Sequence, residues 1–397
     1  MRRLSVWVSD QEVGALQENP EDGTFDFIYR PDVPAPLAVS LTMPVGLPTH
    51  EYTGFNRLPP PFEVSLPEGF VLDALRRKFA KVVDVDDDFS LLELVGRHTV
   101  GRVTFGGPLE PEPGLELRIL AAARSENSAR QLAALLKAHP QTTGISGVMP
   151  KMSSRHGDET RHPGTALAGG VLVKFDTEDY PGAALVEFAC MSACQAAGLP
   201  VPHLTLSPDA STLTIGRFDV TAQGKRLGFE DACALSGIAR HGKYRGTVLD
   251  LFRMIDHFIP ATERPATRQD LLQRLLANDI LRNGDAHLKN FGLVYDDPAR
   301  PGLAPVYDVL STTVWVPQDL PALRLTPQHS GPEWLTDSGF GPLAELAGIP
   351  AKAIAKLHAH MKERMVHTLR LVLDGHAARQ NSNARAALKR ALRDATS

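Results

Sequence analysis

Three polar side chains in one short stretch, Ile280–Asp308, constrain the fold of this chain more than any other feature. Asp285 is followed five positions later by Asn290, and Asp308 lies 23 positions after Asp285. Side chains so placed meet if the chain between Asn290 and Asp308 leaves and returns as a hairpin. The alternative is a surface hairpin whose acidic residues simply favour turns.

The residues between Asn290 and Asp308 predict such a hairpin. Gly292–Tyr295 has the composition of a strand, Asp296–Pro298 that of a turn, and Ala304–Tyr307 that of a returning strand. In protein-kinase-like folds, an Asp, an Asn five residues on and a second Asp form the catalytic centre. The first Asp accepts the proton of the substrate hydroxyl, and the other two side chains hold the magnesium ions that bridge the ATP phosphates. The spacing therefore favours phosphoryl-transfer chemistry.

Composition and charge indicate a globular protein with several packed lobes and no general affinity for nucleic acid. The chain has 397 residues, 43% hydrophobic and 22% charged, with a formal net charge of −4. Any DNA contact would need a local basic patch or a partner protein. Three cysteines, Cys190, Cys194 and Cys233, argue against a disulfide framework. No apolar run reaches the length of a membrane span, so a cytoplasmic location is expected.

Changes in composition along the chain predict three parts. Strand patterns at Leu4–Val8 and Phe25–Tyr29 favour a small αβ domain at the N-terminus. Gly106–Gly114, which is rich in Gly, Pro and Glu, is interpreted as a linker. The predicted parts are residues 1–106, residues 107–220 and residues 221–397.

A glycine-containing loop is predicted at Thr142–Met152, with the sequence TTGISGVMPKM. Backbone N–H groups in such a loop can hold a phosphate, and Lys151 would add positive charge. The segment fits neither G-x-G-x-x-G nor the Walker pattern, so an ordinary turn is the alternative.

A buried strand that carries one lysine is predicted at Gly170–Phe175, and Glu187 follows Lys174 by 13 positions on a predicted helix. A strand lysine paired with a helix glutamate positions the α- and β-phosphates of ATP in kinases. The alternative is a lysine that extends to solvent from a strand edge and a glutamate that faces water. Further on, Ile215–Asp219 stands where a hinge between two lobes would present backbone groups to adenine.

The remainder of the chain is predicted to be mainly helical. Helical patterns cover Phe229–Gly237, Gly246–Phe258, Arg268–Asn283 and Ala351–Gly375. The tail Ala377–Ala395 carries several basic residues and is interpreted as a solvated amphipathic helix, with a partner or nucleic-acid contact as the alternative.

In this order, the segments resemble the HipA toxin family of serine/threonine kinases over nearly the whole chain. The resemblance is carried by LSVWVSDQEVGAL, GISGVMPK, VLVKF, ALVEFACMSACQAAGLPVP, GRFDV, FEDACALSG, NGDAHLKNFGLVYD and APVYDVLST. It implies an α+β, protein-kinase-like bilobal fold. Its parts would be a small N-terminal αβ domain, a kinase N-lobe and a mostly helical C-lobe.

The resemblance also implies roles for individual residues. Asp285 would be the catalytic base, Lys174 the ATP lysine, and Asn290 and Asp308 the Mg2+ ligands. The further nucleotide contacts would be Ser146, Gly147, Val148, Met149, Pro150 and Lys151 of the phosphate loop, Gly216, Arg217 and Phe218 of the hinge, and Glu187, His287, Leu288, Lys289 and Tyr307. For His287, the alternative is a structural loop histidine.

Three positions depart from the family pattern. Gly144 stands where characterised members have a serine that undergoes inhibitory autophosphorylation, and Ser146 is the only serine of the loop. Ser146 is therefore the candidate autophosphorylation site, with a capping role in the turn as the alternative. The hinge has Gly216 and Val220 at its ends where Glu and Arg are common, and Ala286 replaces a glycine.

The function that the resemblance implies is that of an ATP- and Mg2+-dependent serine/threonine-protein kinase, the toxin of a toxin–antitoxin pair. A HipB-like DNA-binding antitoxin is the expected partner, and operator DNA would be reached mainly through it. The expected substrate is a translation-linked protein such as an aminoacyl-tRNA synthetase. Two alternatives stay open: a small-molecule phosphotransferase of kinase-like fold, and a non-catalytic pseudokinase that acts as a corepressor.

Overall fold

The computed structural model describes residues 1–79, 84, 86–108, 113–139, 164–168, 170–335 and 339–397. Within these residues the strands form three separate sheets. The predicted phosphate loop at Thr142–Met152 lies outside the described residues, and with it lie Ser146 and Lys151.

The first sheet has four antiparallel strands in the order β3-β2-β1-β4. The strands are β1 Arg3–Val8, β2 Gln11–Glu18, β3 Phe25–Tyr29 and β4 Val103–Phe105, and the nearby helices are α1 Pro60–Glu63, α2 Gly69–Phe79 and α3 Asp88–Val95. Side chains alternate between the two faces of a strand, so Leu4, Val6 and Val8 of β1 share one face. They lie in one hydrophobic core with side chains of all three helices.

The second sheet has four strands in the order β5-β6-β8-β7. They are β5 Gly164–Ala168, β6 Val171–Phe175, β7 Leu204–Leu206 and β8 Thr212–Gly216, and the adjoining helices are α4 Pro113–Ala123, α5 Ser128–Ala138 and α6 Ala183–Ala196. On β6, Val173 and Phe175 pack in a core with α4 and α5, whereas Leu172 packs in another with residues of α6. This alternation places Lys174 on the α6 side of the sheet.

The third sheet consists of β9 Gly228–Asp231, β10 Gly292–Tyr295 and β11 Gly302–Leu303, with β10 in the middle. The predicted strand Gly292–Tyr295 is confirmed, but the predicted return at Ala304–Tyr307 is wrong. The backbone N–H of Ala304 still donates to the Gly292 carbonyl (2.9 Å). The next residue, Pro305, has no N–H to continue the ladder, so the chain leaves the sheet before Asp308.

The prediction of helix over Phe229–Gly237 is correct for only one turn, α7 Ala232–Leu235. The residues before it form β9, where Phe229 pairs with Val294 and Glu230 with Leu293. Sheet pairing therefore overrides the local pattern. The helix begins after Asp231, whose side chain accepts a hydrogen bond from Ala234 N (2.9 Å) and so caps the first turn.

The remaining helices build the largest core. They are α8 Val248–Phe258, α9 Arg264–Ile280, α10 Gly341–Ala347, α11 Ala351–Asp374, α12 His376–Gln380 and α13 Ser382–Thr396. Helix α6 belongs to this core as well, because it packs against α11 and α13. No described helix combines the length and the apolar character that a membrane crossing requires.

The tail Ala377–Ala395 was predicted as one amphipathic helix, but it forms α12 and α13 with Asn381 between them. The longer helix, α13, is amphipathic as predicted. Its small apolar residues, among them Ala384, Ala387 and Ala391, are buried. Lys389, Arg390 and Arg393 are exposed. The basic residues thus form a solvated face, while the opposite face packs against the core.

Buried Glu230 joins the first sheet's loops to the third sheet. Its carboxylate accepts hydrogen bonds from the Ser40 hydroxyl, from Leu41 N (2.8 Å) and from Tyr295 Oη (2.7 Å). Ser40 and Leu41 belong to the N-terminal region, whereas Glu230 and Tyr295 lie on β9 and β10. This buried carboxylate therefore links the N-terminal region to the third sheet.

Packing of α13 against α6 can be tested at Gly182, the residue before α6. Gly182 has φ +84°, and a Cβ there would lie 2.6 Å from Ala384 Cα. Gly224 has a similar φ of +80° but open space around it. We expect Gly224→Ala to lower the free energy of unfolding by about 1 kcal/mol, from the backbone conformation alone. Gly182→Ala should cost about 3 kcal/mol, because α13 must also move.

Urea denaturation of both variants measures the difference. Equal losses for the two variants would contradict the close contact between α13 and the start of α6.

Candidate active site

A cavity of about 100 Å³ lies where the second and third sheets meet the N-terminal region. It is lined by Glu68, Val100, Leu172, Lys174, Ile215, Gly216, Arg217, Phe218, Asp219, Phe229, Asp231, Lys243, His287, Lys289, Tyr307 and Asp308. The lining combines apolar and aromatic side chains with several charged groups. A concave site with an apolar body and a few convergent polar groups is the usual form of a ligand pocket.

The ammonium of Lys174 lies between two carboxylates at the cavity wall. Its Nζ donates to Glu187 Oε1 (2.7 Å) and contacts Asp308 Oδ1. The side chains of Lys174 and Glu187 are 1% and 0% exposed, which excludes the alternative of a solvent-facing pair. Burial alone would lower the pKa of Lys174, but the charges of Asp308 and Glu187 outweigh it and raise the pKa. The lysine therefore stays charged.

The hinge residues Gly216–Phe218 continue from β8 along the cavity. Arg217 Nε donates to Asp219 Oδ1 (2.9 Å), and Gly101 N donates to Asp219 Oδ2 (2.7 Å). Burial would raise the pKa of Asp219, but the hydrogen bond and charge of Arg217, the Gly101 N–H and the charge of Arg226 together outweigh burial and lower the pKa. Asp219 thus ties the hinge to a loop of the N-terminal region through charged hydrogen bonds.

Three aromatic rings, those of Phe218, Phe229 and Tyr307, pack together on one side of the cavity. Their centroids are 5.3 Å apart for Phe218–Phe229, 5.5 Å for Phe218–Tyr307 and 5.9 Å for Phe229–Tyr307. Tyr307 Oη donates to the Lys289 carbonyl (3.0 Å), which fixes the ring. Such a surface suits a flat heteroaromatic ring.

Asp285 is buried beside His287, and its two oxygens differ in their surroundings. Oδ1 accepts a hydrogen bond from Tyr244 Oη (2.6 Å), whereas Oδ2 has no hydrogen-bond partner among the described residues. His287 Nε2 lies 3.9 Å from Oδ2. Burial raises the pKa of Asp285 well above its usual range. A carboxylate with one anchored and one available oxygen is suited to accept a proton.

His287 lines the cavity as a neutral imidazole. Burial lowers its pKa well below the usual value, and the nearby charge of Lys243 lowers it further. Its Nδ1 is buried without a hydrogen-bond partner among the described residues.

The predicted metal ligands Asn290 and Asp308 line a common small cavity next to the main one. Asn290 Oδ1 accepts a hydrogen bond from His287 N (3.1 Å), and Asp308 has the left-handed backbone conformation, with φ +55°. Amide and carboxylate oxygens are the donors that Mg2+ prefers. Over the described part of the chain, no cluster of three or more His, Cys, Asp or Glu side chains offers a complete metal cage. The pair fits a magnesium ion that takes its remaining ligands from phosphates and water.

The remaining residues predicted to contact the nucleotide do not all line the main cavity. Lys289 and Tyr307 line the main cavity, but Leu288 is fully buried in the core against Gly246 and does not reach the cavity wall. Glu187 is not part of the cavity lining, but it pairs with Lys174, which is. Residues 144–151 lie outside the described residues.

Besides Phe229 and Asp231 of β9, four residues around the site were not predicted: Glu68, Val100, Lys243 and Tyr244. Glu68 and Val100 come from the N-terminal region, and the two others come from the loop before α8. None belongs to a spaced motif, and each approaches the site only through tertiary folding. The sequence carried no signal that would have selected them.

The buried pair Lys174–Glu187 can be tested by a double-mutant cycle. We expect Lys174→Met to lower the free energy of unfolding by about 3 kcal/mol, because it leaves Glu187 buried and unpaired. The double variant Lys174→Met/Glu187→Met should recover most of that loss, since an apolar pair needs no charge compensation. Urea denaturation measures all three proteins.

Lys225→Met is the matched control, because Lys225 pairs with Asp296 at the surface, where the two side chains are 58% and 62% exposed. It should leave stability almost unchanged. Failure of the double variant to recover stability would mean that Lys174 is held mainly by Asp308.

Comparison with known proteins assigns two segments of the chain to domain families. Residues 4–106 match the HipA N-terminal domain, and residues 143–369 match the HipA-like C-terminal domain. The chain is 30% identical over 353 residues to Y4dM of Sinorhizobium fredii, a match that covers 81% of this chain and 80% of that protein. It is 26% identical over 340 residues to the serine/threonine-protein kinase toxin HipA of Shewanella oneidensis, covering 79% and 76% of the two chains.

A solved structure shows the same fold. It is the complex of HipA, HipB and operator DNA from Shewanella oneidensis, with a TM-score of 0.69 at 19% identity, over 98% of this chain and 96% of the matched chain. The expected kinase-like bilobal fold is confirmed. With a family match over more than half of its length, the chain belongs to the HipA family.

Proposed function

We propose that this protein is a kinase that transfers the terminal phosphoryl group of ATP to a serine or threonine hydroxyl of another protein. The observation that carries the proposal is the arrangement of Lys174, Glu187 and Asp308 at one cavity, with Asp285 beside it. In protein kinases the same residue types position the phosphates and the attacking hydroxyl. The aromatic group of Phe218, Phe229 and Tyr307 would hold the adenine.

The transfer itself requires few covalent events. The substrate hydroxyl passes its proton to Asp285 Oδ2, its oxygen bonds to the γ-phosphorus, and the bond between that phosphorus and the bridging oxygen breaks to release ADP. Tyr244 holds Oδ1 and so fixes the orientation of the acceptor oxygen. Lys174 contributes positive charge at the phosphates, and the buried partner Glu187 keeps it in place.

Asn290 and Asp308 are proposed to hold Mg2+. When bound there, magnesium would neutralise phosphate charge and stabilise the charge that develops on the transferred group. Lys174 contacts Asp308 here, so binding of Mg-ATP would redistribute the contacts of this lysine between carboxylate and phosphate.

We further propose that the protein is the toxin of a toxin–antitoxin pair with a HipB-like partner. The structural relative from Shewanella oneidensis was solved with HipB and operator DNA, which supports this partnership. With a net charge of −4, the chain would reach operator DNA mainly through that partner. A translation-linked substrate such as an aminoacyl-tRNA synthetase rests on family resemblance alone, and so does autophosphorylation of Ser146. The cytoplasmic location and the boundaries of the three predicted parts remain predictions.

Replacement of Asp285 tests the enzymatic proposal. Asp285→Asn should lower phosphoryl transfer by about 10²-fold or more, because the proton acceptor is lost. Binding of Mg-ATP should persist, since Lys174, Asn290 and Asp308 are intact. Calorimetric titration and phosphoproteomic comparison in cells measure the two properties, and Asp296→Asn in the exposed turn after β10 is the control.

Three other results would each contradict a part of the proposal. Transfer that survives in Asp285→Asn would remove Asp285 as the base. Transfer to small molecules but not to proteins would favour a small-molecule phosphotransferase. Nucleotide binding without any transfer by the unmodified chain would favour a pseudokinase corepressor.

Tyr244 should set the pH dependence of the reaction. Its hydroxyl donates to Asp285 and therefore favours the charged carboxylate. Tyr244→Phe removes this hydrogen bond, so the pKa of Asp285 should rise. The acidic limb of the rate profile should then move upward by about one to two pH units, because a hydrogen bond to a charged group contributes about 1.5–3 kcal/mol and one pKa unit corresponds to about 1.4 kcal/mol.

Tyr29→Phe is the control, because Tyr29 donates a hydrogen bond to the Met43 carbonyl (2.6 Å) in the first sheet, far from Asp285. An acidic limb that does not move in Tyr244→Phe would mean that Tyr244 only packs against Asp285.

A further inference from the structure

Glu68 bridges two lysines in the wall of the main cavity. Its Oε1 accepts a hydrogen bond from Lys289 Nζ (2.8 Å), and its Oε2 accepts one from Lys243 Nζ (3.0 Å). The side chain of Glu68 is 13% exposed, and each lysine side chain is 7% exposed. All three residues line the main cavity together with Lys174 and Asp308.

The three residues come from distant parts of the chain. Glu68 lies within the HipA N-terminal domain, Lys243 in the loop before α8, and Lys289 in the loop that carries Asp285 and Asn290. The contact thus reaches from one domain into the catalytic loop of another. It places a carboxylate in the cavity where phosphates are proposed to bind.

Two ammonium groups that share one carboxylate already have the arrangement of an anion site. A carboxylate gives each lysine one oxygen, as two oxygens of a phosphoryl group would. Each ammonium has three N–H donors, and within the described residues only one donor of each makes a hydrogen bond. The triad itself carries a net charge of +1, and the carboxylate of Asp231 in the same cavity wall also acts on Lys289.

A purely structural brace between the domains is the competing explanation. The same junction is already held by Glu63, whose Oε2 accepts from Arg240 N (2.6 Å), and by Glu230, which binds Ser40 and Leu41 N. Neither of those carboxylates lines the cavity, whereas Glu68 does. A buried ion triad is also weak as a source of stability, because desolvation offsets much of its attraction.

We propose that Lys243 and Lys289 form a binding site for a phosphoryl oxyanion, and that Glu68 occupies this site as an exchangeable carboxylate. The proposal rests on the proposed function only for the source of the anion, which is either the phosphate chain of the nucleotide or the phosphorylated side chain of the product. When the anion binds, Glu68 must leave the lysines. The N-terminal domain thereby responds to occupancy of the site.

The first test measures thermal unfolding of the full chain in EDTA at constant ionic strength, with and without tripolyphosphate. Glu68→Gln frees the two lysines, so tripolyphosphate should bind it about tenfold more tightly than the unmodified chain and raise its Tm more. Glu63→Gln, which alters the same junction outside the cavity, should respond like the unmodified chain. Adding Lys243→Met to Glu68→Gln should abolish the increase in affinity for tripolyphosphate.

Parallel titrations with O-phosphoserine distinguish the two sources of the anion. If Glu68→Gln binds only tripolyphosphate more tightly than the unmodified chain does, the site belongs to the nucleotide phosphates. If it also binds phosphoserine more tightly, the site accepts the phosphorylated side chain of the product. If Glu68→Gln loses stability but responds to both anions as the unmodified chain does, Glu68 is a brace and the proposal is wrong. Neither nucleotide nor metal nor transfer is needed, so this result is independent of the kinase proposal.

A second test uses the unmodified chain and therefore does not depend on the folding of a variant. Displacement of Glu68 by tripolyphosphate should release the segment around it, and backbone hydrogen exchange at residues 65–68 should become faster. Exchange that stays the same or slows on addition of tripolyphosphate would overturn the proposal.

Discussion

A lysine ammonium inside a protein is unfavourable unless carboxylates surround it, and Lys174 meets this requirement with two. Each carboxylate arrives from a different element: Glu187 from α6, and Asp308 from the loop that follows β11. The ammonium on β6 therefore fixes the second sheet, the helix beneath it and the loop of the third sheet at one point. Because that point lies on the cavity wall, the interaction helps to set the geometry of the cavity.

The surroundings of the acidic and basic groups near the cavity affect their protonation in opposite ways. Asp285 lies where burial disfavours its charged form, while Lys174 and Lys289 lie where carboxylates favour theirs. For Lys289, burial opposes the charged form, but Glu68 and Asp231 outweigh it and raise the pKa. The site thus combines one carboxylate prone to take up a proton with cations that keep their charge, an arrangement suited to an anionic ligand and a hydroxyl nucleophile.

The sequence predicted those parts of the site that share a spaced motif. Asp285, Asn290 and Asp308 could be selected because a hairpin of suitable length separates them, and Lys174 because one lysine interrupts an apolar strand. The second strand of that hairpin was misplaced, since Pro305 ends the ladder earlier than composition suggests. Phe229 and Glu230 were assigned to a helix because local pattern says nothing of the partner strand β10. Glu68 could not be predicted at all, because its position depends on how the first sheet is docked on the third.

Helix α6 is enclosed on one side by the second sheet and on the other by α11 and α13. In many protein kinases the corresponding glutamate helix swings outward to switch the enzyme off. Here such a swing would have to separate Gly182 from Ala384 and open the largest core of the molecule. Helix α13 therefore restricts outward movement of α6, the helix that carries Glu187. A change that disturbs α13 would also disturb the packing of α6, and with it the glutamate that pairs with Lys174, from the side of α6 opposite the second sheet.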